Sequence, residues 1–183
     1  EKLDTCPDGA PLRLLELGAG CGAAGLWLWR ALLPRVELCL TDMPRLCPLL
    51  EANAELARGS LEGPAEVGTV HVAPLRWSLE DDLDQFVGSR WDLVIGADVC
   101  YCSEKVEPLL GTVAALRPRL GALLGLGATG VQGPGAAALE EACHEAGWSW
   151  RELRRERAES PEGEVEVQLV RLAPPPDGAA ATE

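Results

Sequence analysis

The sequence has no run of about 18 uncharged apolar residues, so no membrane-spanning helix is expected. It has no Cys-x-x-Cys pair and only two histidines, His71 and His144, too few ligands for an ordinary zinc site. No metal is expected. The seven cysteines (Cys6, Cys21, Cys39, Cys47, Cys100, Cys102 and Cys143) are odd in number and scattered through apolar segments. That pattern does not suit a disulfide framework and predicts reduced thiols in the cytoplasm, with the nucleus as the second compartment. Basic residues are scarce: sixteen against twenty-nine acidic ones, for a net charge of −13. No surplus basic face is available for phosphates, so nucleic acid is not an expected partner, while basic proteins are. No internal repeat is visible, and residues 1–11 lack the apolar centre of a secretory leader. The chain opens on Glu1 rather than Met, so residues 1–12 read as the remnant of a longer N-terminal segment.

What is present suits one folded domain. A chain of 183 residues with 47% apolar and 25% charged side chains is neither disordered nor fibrous. At this size roughly 70% of the unfolded surface is buried on folding. A monomer is expected.

Apolar runs and breakers alternate along the chain. Strands are predicted over residues 13–20, 36–42, 67–77, 91–99 and 120–128, and helices over 23–33, 44–57, 104–117 and 135–146. Residues 80–86 read as a short acidic helix. Pro34 stops the first long helix, Pro44 suits a first turn, Pro48 marks an irregularity, and Ser103 is a candidate cap. Two further strands, over 148–157 and 164–172, flank the turn-like Ser160-Pro161-Glu162-Gly163 and must be antiparallel neighbours. This alternation predicts an α/β, Rossmann-like, doubly wound sheet of seven strands, mostly parallel, with an antiparallel last strand. The domain is placed at residues 13–172 and a Pro/Ala-rich disordered tail at 173–183.

Ligands of such sheets bind beyond the carboxyl ends of the strands. The first strand ends in Glu16-Leu17-Gly18-Ala19-Gly20-Cys21-Gly22, with Gly25 three residues on, and the second ends in Asp42. Glycines let a backbone turn sharply and approach a ligand closely, and a carboxylate at the second tip can accept both hydroxyls of a ribose. Together they predict a nucleoside site. Two dehydrogenase patterns also occur: Gly20-x-Gly22-x-x-Gly25 and Tyr101-x-x-x-Lys105. Tyr101 falls directly after the fourth strand, with no serine between Ser89 and Ser103, so an NAD-dependent short-chain dehydrogenase is the lesser alternative.

The pattern Glu-x-Gly-x-Gly-x-Gly, an acid closing the second strand and an antiparallel final strand resemble class I S-adenosylmethionine-dependent methyltransferases. The segments LELGAGCGAAGL, LTDMPRLCPLLEANAEL, PLRW and WDLVIGADVCYCSEKVEPLL resemble, more narrowly, the protein-lysine methyltransferases of methyltransferase family 16. The resemblance spans about residues 12–116. It implies S-adenosylmethionine as cofactor and, as partner, a lysine-bearing protein of the elongation factor, chaperone or ATPase type. By the same resemblance Gly18, Ala19, Gly20 and Gly22 approach the cofactor and Glu16 supports the loop. Asp42 takes the ribose hydroxyls beside Met43, Trp77 walls the adenine, and Ala97 and Asp98 lie along the cofactor. Tyr101 faces the acceptor nitrogen, which makes Asp98 and Tyr101 the candidate catalytic residues.

Plainer roles stay open. Asp98 could cap the next helix, and Tyr101, the only tyrosine, could be a core aromatic. Trp27, Trp29, Trp148 and Trp150 read as packing residues. Glu80, Asp81, Asp82 and Asp84 read as a solvated face that could also attract a basic protein. This chain departs from the family at Ser78, where Gly is usual, and at Cys21, where Thr is commoner. The family also has some tens of residues before its first strand, with a helix over the cofactor, against about twelve residues here. A catalytically inactive binding domain is therefore the main alternative.

Overall fold

The computed structural model describes residues 9–60, 68–128, 135–160 and 163–175. Seven strands form one sheet: β1 (Leu12–Glu16), β2 (Val36–Asp42), β3 (Val70–Pro74), β4 (Leu93–Ala97), β5 (Ala122–Ala128), β6 (Ser149–Ser160) and β7 (Gly163–Ala173). Their order is β3-β2-β1-β4-β5-β7-β6. The first five run parallel, and β7 is antiparallel to both β5 and β6. The expected doubly wound sheet is present.

The strands alternate their side chains between two cores because successive residues point to opposite faces. Leu14, Leu38, Leu40 and Ile95 meet α1 (Ala23–Leu32) and α2 (Cys47–Gly59) on one face. Leu15, Val94, Leu124 and Val170 meet α4 (Val106–Leu116) and α5 (Gly135–Glu145) on the other, with the short α3 (Glu80–Leu83) beside α4. Among the described residues no helix is long and apolar enough to cross a membrane.

Local chemistry sets most boundaries. Pro34 ends α1 one residue beyond Leu33. Pro44 opens a 3-10 turn, Pro44–Leu46, and Pro48 sits in the first turn of α2, where its missing N–H costs nothing. The irregularity expected at Pro48 therefore lies ahead of it. The first and fourth strands end earlier than predicted, at Glu16 and Ala97, and one further bond follows each, from Leu17 N–H to the Ile95 carbonyl and from Asp98 N–H to the Gly125 carbonyl. Residues Cys100 and Cys102 lie beyond β4.

Several expectations need correction. Ser103 does not cap α4: it opens a 3-10 turn, Ser103–Lys105, and neither that turn nor α4 has a side-chain cap. Trp29 is fully buried and donates its indole N–H to the Gly68 carbonyl at 3.0 Å, but Trp27, one face round the helix, is 71% exposed. Trp148 and Trp150 pack against the core as expected. The third strand begins at Val70; Val67 lies outside the described residues, as do Pro161, Glu162 and the greater part of the tail. Strand β7 runs to Ala173, one residue into the segment assigned to that tail.

At the far end of the sheet, Asp92 is wholly buried yet accepts the Arg13 N–H (3.0 Å) and guanidinium bonds from Arg119 (2.9 Å) and Arg90 (3.2 Å). Burial alone would raise its carboxyl, but these donors hold it below its ordinary value. This cluster braces the strand ends opposite the candidate site.

Candidate active site

Strand order reverses between β1 and β4, which places a crevice at their carboxyl ends. The glycine loop lies at that crevice. Gly18, Gly20 and Gly22 have φ of +61°, +60° and +80°, a region that side-chain-bearing residues seldom adopt. The loop is pinned from outside. Leu17 N–H donates to the Ile95 carbonyl (2.9 Å), Ala19 N–H to the Thr41 carbonyl (3.0 Å), and the Asn53 amide to the Cys21 carbonyl (2.7 Å).

The three glycines face different surroundings. A Cβ on Gly20 would meet nothing within 4 Å. One on Gly18 would stand 3.2 Å from the Trp77 ring and 3.1 Å from Val99, so the half-buried indole lies over this glycine. One on Gly22 would press on Leu26, Leu40 and Leu50, which makes Gly22 a packing residue at the start of α1. Only Gly20 presents open backbone.

Asp42 links the loop to the second strand tip. Its Oδ2 accepts the Gly20 N–H at 2.8 Å and its Oδ1 accepts the N–H of Met43, itself 42% exposed, at 2.6 Å. Each carboxylate oxygen has a second lone pair, so further hydroxyl donors can still be accepted. The Asp42 carbonyl takes the Leu75 N–H at 2.8 Å and so ties β2 to the chain leading to Trp77. Ser78, next in sequence, has φ +60°. Its N–H donates to Thr112 Oγ1 (3.0 Å) and its hydroxyl to the Pro108 carbonyl (3.1 Å). These bonds to α4 hold a turn that would suit glycine.

Glu16 lies beneath the loop and is 1% exposed. Its Oε2 accepts the Gly25 N–H at 3.1 Å, and a Cβ on Gly25 would overlap that oxygen. Burial pushes its carboxyl up to about 7; the Gly25 bond opposes this, and the nearby Asp42 charge adds to it. The fully buried Thr41 donates its hydroxyl to the Glu16 carbonyl at 2.6 Å. Gly25 and Thr41 were not singled out as supports of Glu16. The spacing Glu16 to Gly25 was readable, but its meaning needed the helix to turn back over the strand.

Ala97 and Asp98 are exposed at the tip of β4, and Asp98 has φ +57° with its N–H bonded to the Gly125 carbonyl at 2.8 Å. Aspartate is among the few non-glycine residues that tolerate this conformation. Val99 and Cys100 turn inward, and the Cys100 thiol meets the Gly135 carbonyl at 3.0 Å. That anchorage turns Tyr101 outward, 53% exposed, so it is not a core aromatic. Tyr101 lies on a bend and Lys105 on the following 3-10 turn, so the dehydrogenase-like spacing is not carried on one helix.

The site thus joins Glu16, Gly18, Ala19, Gly20, Asp42, Met43 and Trp77 in one bonded or packed set. Ala97, Asp98 and Tyr101 stand on the adjacent strand tip. Gly22 belongs to the packing beneath. The rim carries two carboxylates, Asp42 and Asp98, while Glu16 lies buried beneath it.

Comparison with solved structures gives the same architecture at low identity. The CurJ carbon methyltransferase aligns with a TM-score of 0.67 at 18% identity, covering 94% of this chain and 51% of its own. The magnesium protoporphyrin IX methyltransferase of Synechocystis, solved with bound S-adenosylmethionine, aligns at 0.58 and 15% identity, over 88% and 70%. These likenesses concern the fold. In sequence, the protein-lysine N-methyltransferase EEF2KMT of Homo sapiens is 33% identical over 107 residues, 56% of this chain and 32% of its own. The protein N-lysine methyltransferase METTL21A of Danio rerio is 31% identical over 106 residues, 57% and 44%. The EEF1A lysine methyltransferase 3 of Mus musculus is 31% identical over 57% and 40%. The chain spans less than half the length of these curated relatives. The family model described as lysine methyltransferase matches residues 5–124, more than half of the chain, and on that match the chain belongs to the lysine methyltransferase family.

Proposed function

We propose that this chain binds S-adenosylmethionine at the β1 and β2 tips and methylates a lysine ε-amine of a protein. The observation that carries the reading is the open face of Gly20 beside the Asp42 carboxylate, within the family match. The residues fit the cofactor chemically. Gly20 leaves room for close backbone approach, with Gly18 and Ala19 shaping the loop on either side. Asp42 keeps lone pairs for a diol, with Met43 next to it. The Trp77 indole offers an apolar wall for a planar base. Glu16 holds the loop from beneath through Gly25.

When bound, the cofactor supplies a sulfonium methyl, which an amine takes by in-line displacement as the N–C bond forms and the C–S bond breaks. The chain's task is then positional. Asp98 and Ala97 at the β4 tip line the approach, and the Asp98 carboxylate orients the incoming amine. Tyr101, held outward by the Cys100 anchorage, places an aromatic face and a hydroxyl beside that nitrogen. The amine must arrive neutral, and burial of the lysine stem on docking lowers its pKa toward that form. Its proton passes to solvent at the exposed rim.

The relatives' names mention elongation factors, and a protein of that kind is the substrate class we carry over, with chaperones and ATPases as the wider set implied by the resemblance. Calorimetry with S-adenosylmethionine tests the first step, and absence of binding removes the enzyme reading for this chain. Transfer of labelled methyl into a cell lysate, read by mass spectrometry, tests the second. Label on lysine is expected; label only on RNA or small molecules overturns it.

A further inference from the structure

We infer that the groove between α4 and α5 docks a cationic amphipathic segment of the protein that carries the acceptor lysine. The inference rests on the proposed protein substrate but not on cofactor binding. The groove holds about 480 Å³. Its floor is Leu110 and Trp148, only 8% and 9% exposed, and its walls include Ala114 and Ala142. Small wall residues leave apolar surface reachable from solvent between the two helices.

The groove has a charge at either end. Glu107 lies in the first turn of α4 and Glu145 is the last residue of α5, and both line the groove. Both helices return the chain from the carboxyl end of one strand to the start of the next parallel one, so these carboxylates sit at opposite ends. Among the described residues neither forms an ion pair. From Glu107 to Ala114 the wall rises about 10 Å, at about 1.5 Å per residue.

The surrounding layer has the same sign. Glu80, Asp81 and Asp84 of the neighbouring α3 segment are exposed, as are Glu140 and Glu141 of α5. Asp82 is committed to Arg76 by three bonds of 2.8 Å, and Glu140 lies 3.9 Å from the His144 imidazole. A second copy of this chain, at −13, would be repelled from such a layer, and so would a nucleic acid. The occupant that satisfies both features has aliphatic side chains for the floor and arginine or lysine about two helical turns apart for the ends. Glu107 lies at the end nearer the β4 tip, so docking would feed the substrate toward Asp98 and Tyr101.

The test is fluorescence anisotropy with a labelled helical peptide carrying two leucines flanked by arginines seven residues apart, beside a counterpart with glutamates instead. The cationic peptide is expected to bind and the acidic one not. Glu107→Lys with Glu145→Lys, and separately Ala114→Phe, which fills the groove without changing charge, should each weaken binding about tenfold or more. Thermal melting confirms that each variant is folded. Unchanged peptide binding in both variants overturns the proposal, as does equal binding of the acidic peptide or sedimentation showing that a second copy fills the groove. Calorimetry with S-adenosylmethionine is run in parallel: peptide docking without cofactor binding keeps the groove and removes the methyltransferase reading.

Discussion

The backbone N–H of Gly20 donates to Asp42 Oδ2 at 2.8 Å, a bond that closes the first strand tip onto the second. The one glycine of the loop that faces open space is therefore also the one whose position depends on a carboxylate twenty-two residues away.

Replacing Asp42 should therefore affect both the loop and the ligand. Asp42→Ala removes an ionised acceptor from two N–H groups, and hydrogen bonds to charged groups are worth about 1.5–3 kcal/mol each. S-adenosylmethionine affinity, measured by calorimetry, is expected to fall by tenfold or more. An affinity within twofold of the parent would remove Asp42 from its proposed role.

Glu16 makes stability depend on pH in an unusual direction. Its carboxyl is raised from 4.5 to about 7 in the folded chain, so between those values the unfolded chain ionises while the folded one keeps its proton. Below pH 4.5 both states are protonated and nothing is lost. As pH rises toward 7 the folded state is progressively disfavoured, by about 3 kcal/mol at most. Glu16→Gln keeps an acceptor for Gly25 and cannot ionise. Urea midpoints between pH 5 and 8 should decline in the parent and stay flatter in the variant; parallel profiles would contradict this assignment.

Two glycines should respond differently to alanine. At Gly25 the new Cβ overlaps Glu16 Oε2 and presses on Leu40, so Gly25→Ala should cost about 2 kcal/mol or more in urea denaturation. At Gly20 the space is open and only the φ of +60° is penalised, by about 1 kcal/mol. Gly20→Ala should stay folded and lose cofactor binding. If it binds normally, the open face is not the cofactor's place.

Asp98 and Tyr101 can be tested without disturbing the backbone. Asparagine tolerates φ +57° as aspartate does, so Asp98→Asn removes the charge while keeping the backbone conformation. Tyr101→Phe deletes a hydroxyl from an exposed ring. Melting temperatures should stay within a few degrees of the parent, while kcat/KM for protein methylation falls about tenfold or more. Full activity in both variants would move the acceptor site elsewhere.

The strand and helix pattern was legible because its signals are local. Apolar runs, glycines, and Pro34 and Pro44 act within a few residues, and β2 matches its expected bounds, Val36–Asp42. Ser103 misled for the same reason: a capping residue before acids looks like a helix start, yet the chain first forms a 3-10 turn. Trp27 misled because a tryptophan on an apolar helix reads as core, whereas only the Trp29 face meets the sheet.

The sequence by itself determined the fold class, the glycine loop and the acid at the second strand tip, since each is written in adjacent residues. Only the tertiary structure decided that Gly20 is open, that Gly18 lies beneath Trp77, and that Gly22 belongs to the core. It also decided that Glu16 is buried against Gly25, and that α4 and α5 leave a groove between two carboxylates. These are relations between residues far apart in the chain. They exist only once sheet order and helix packing have set which surfaces meet and which are left to solvent.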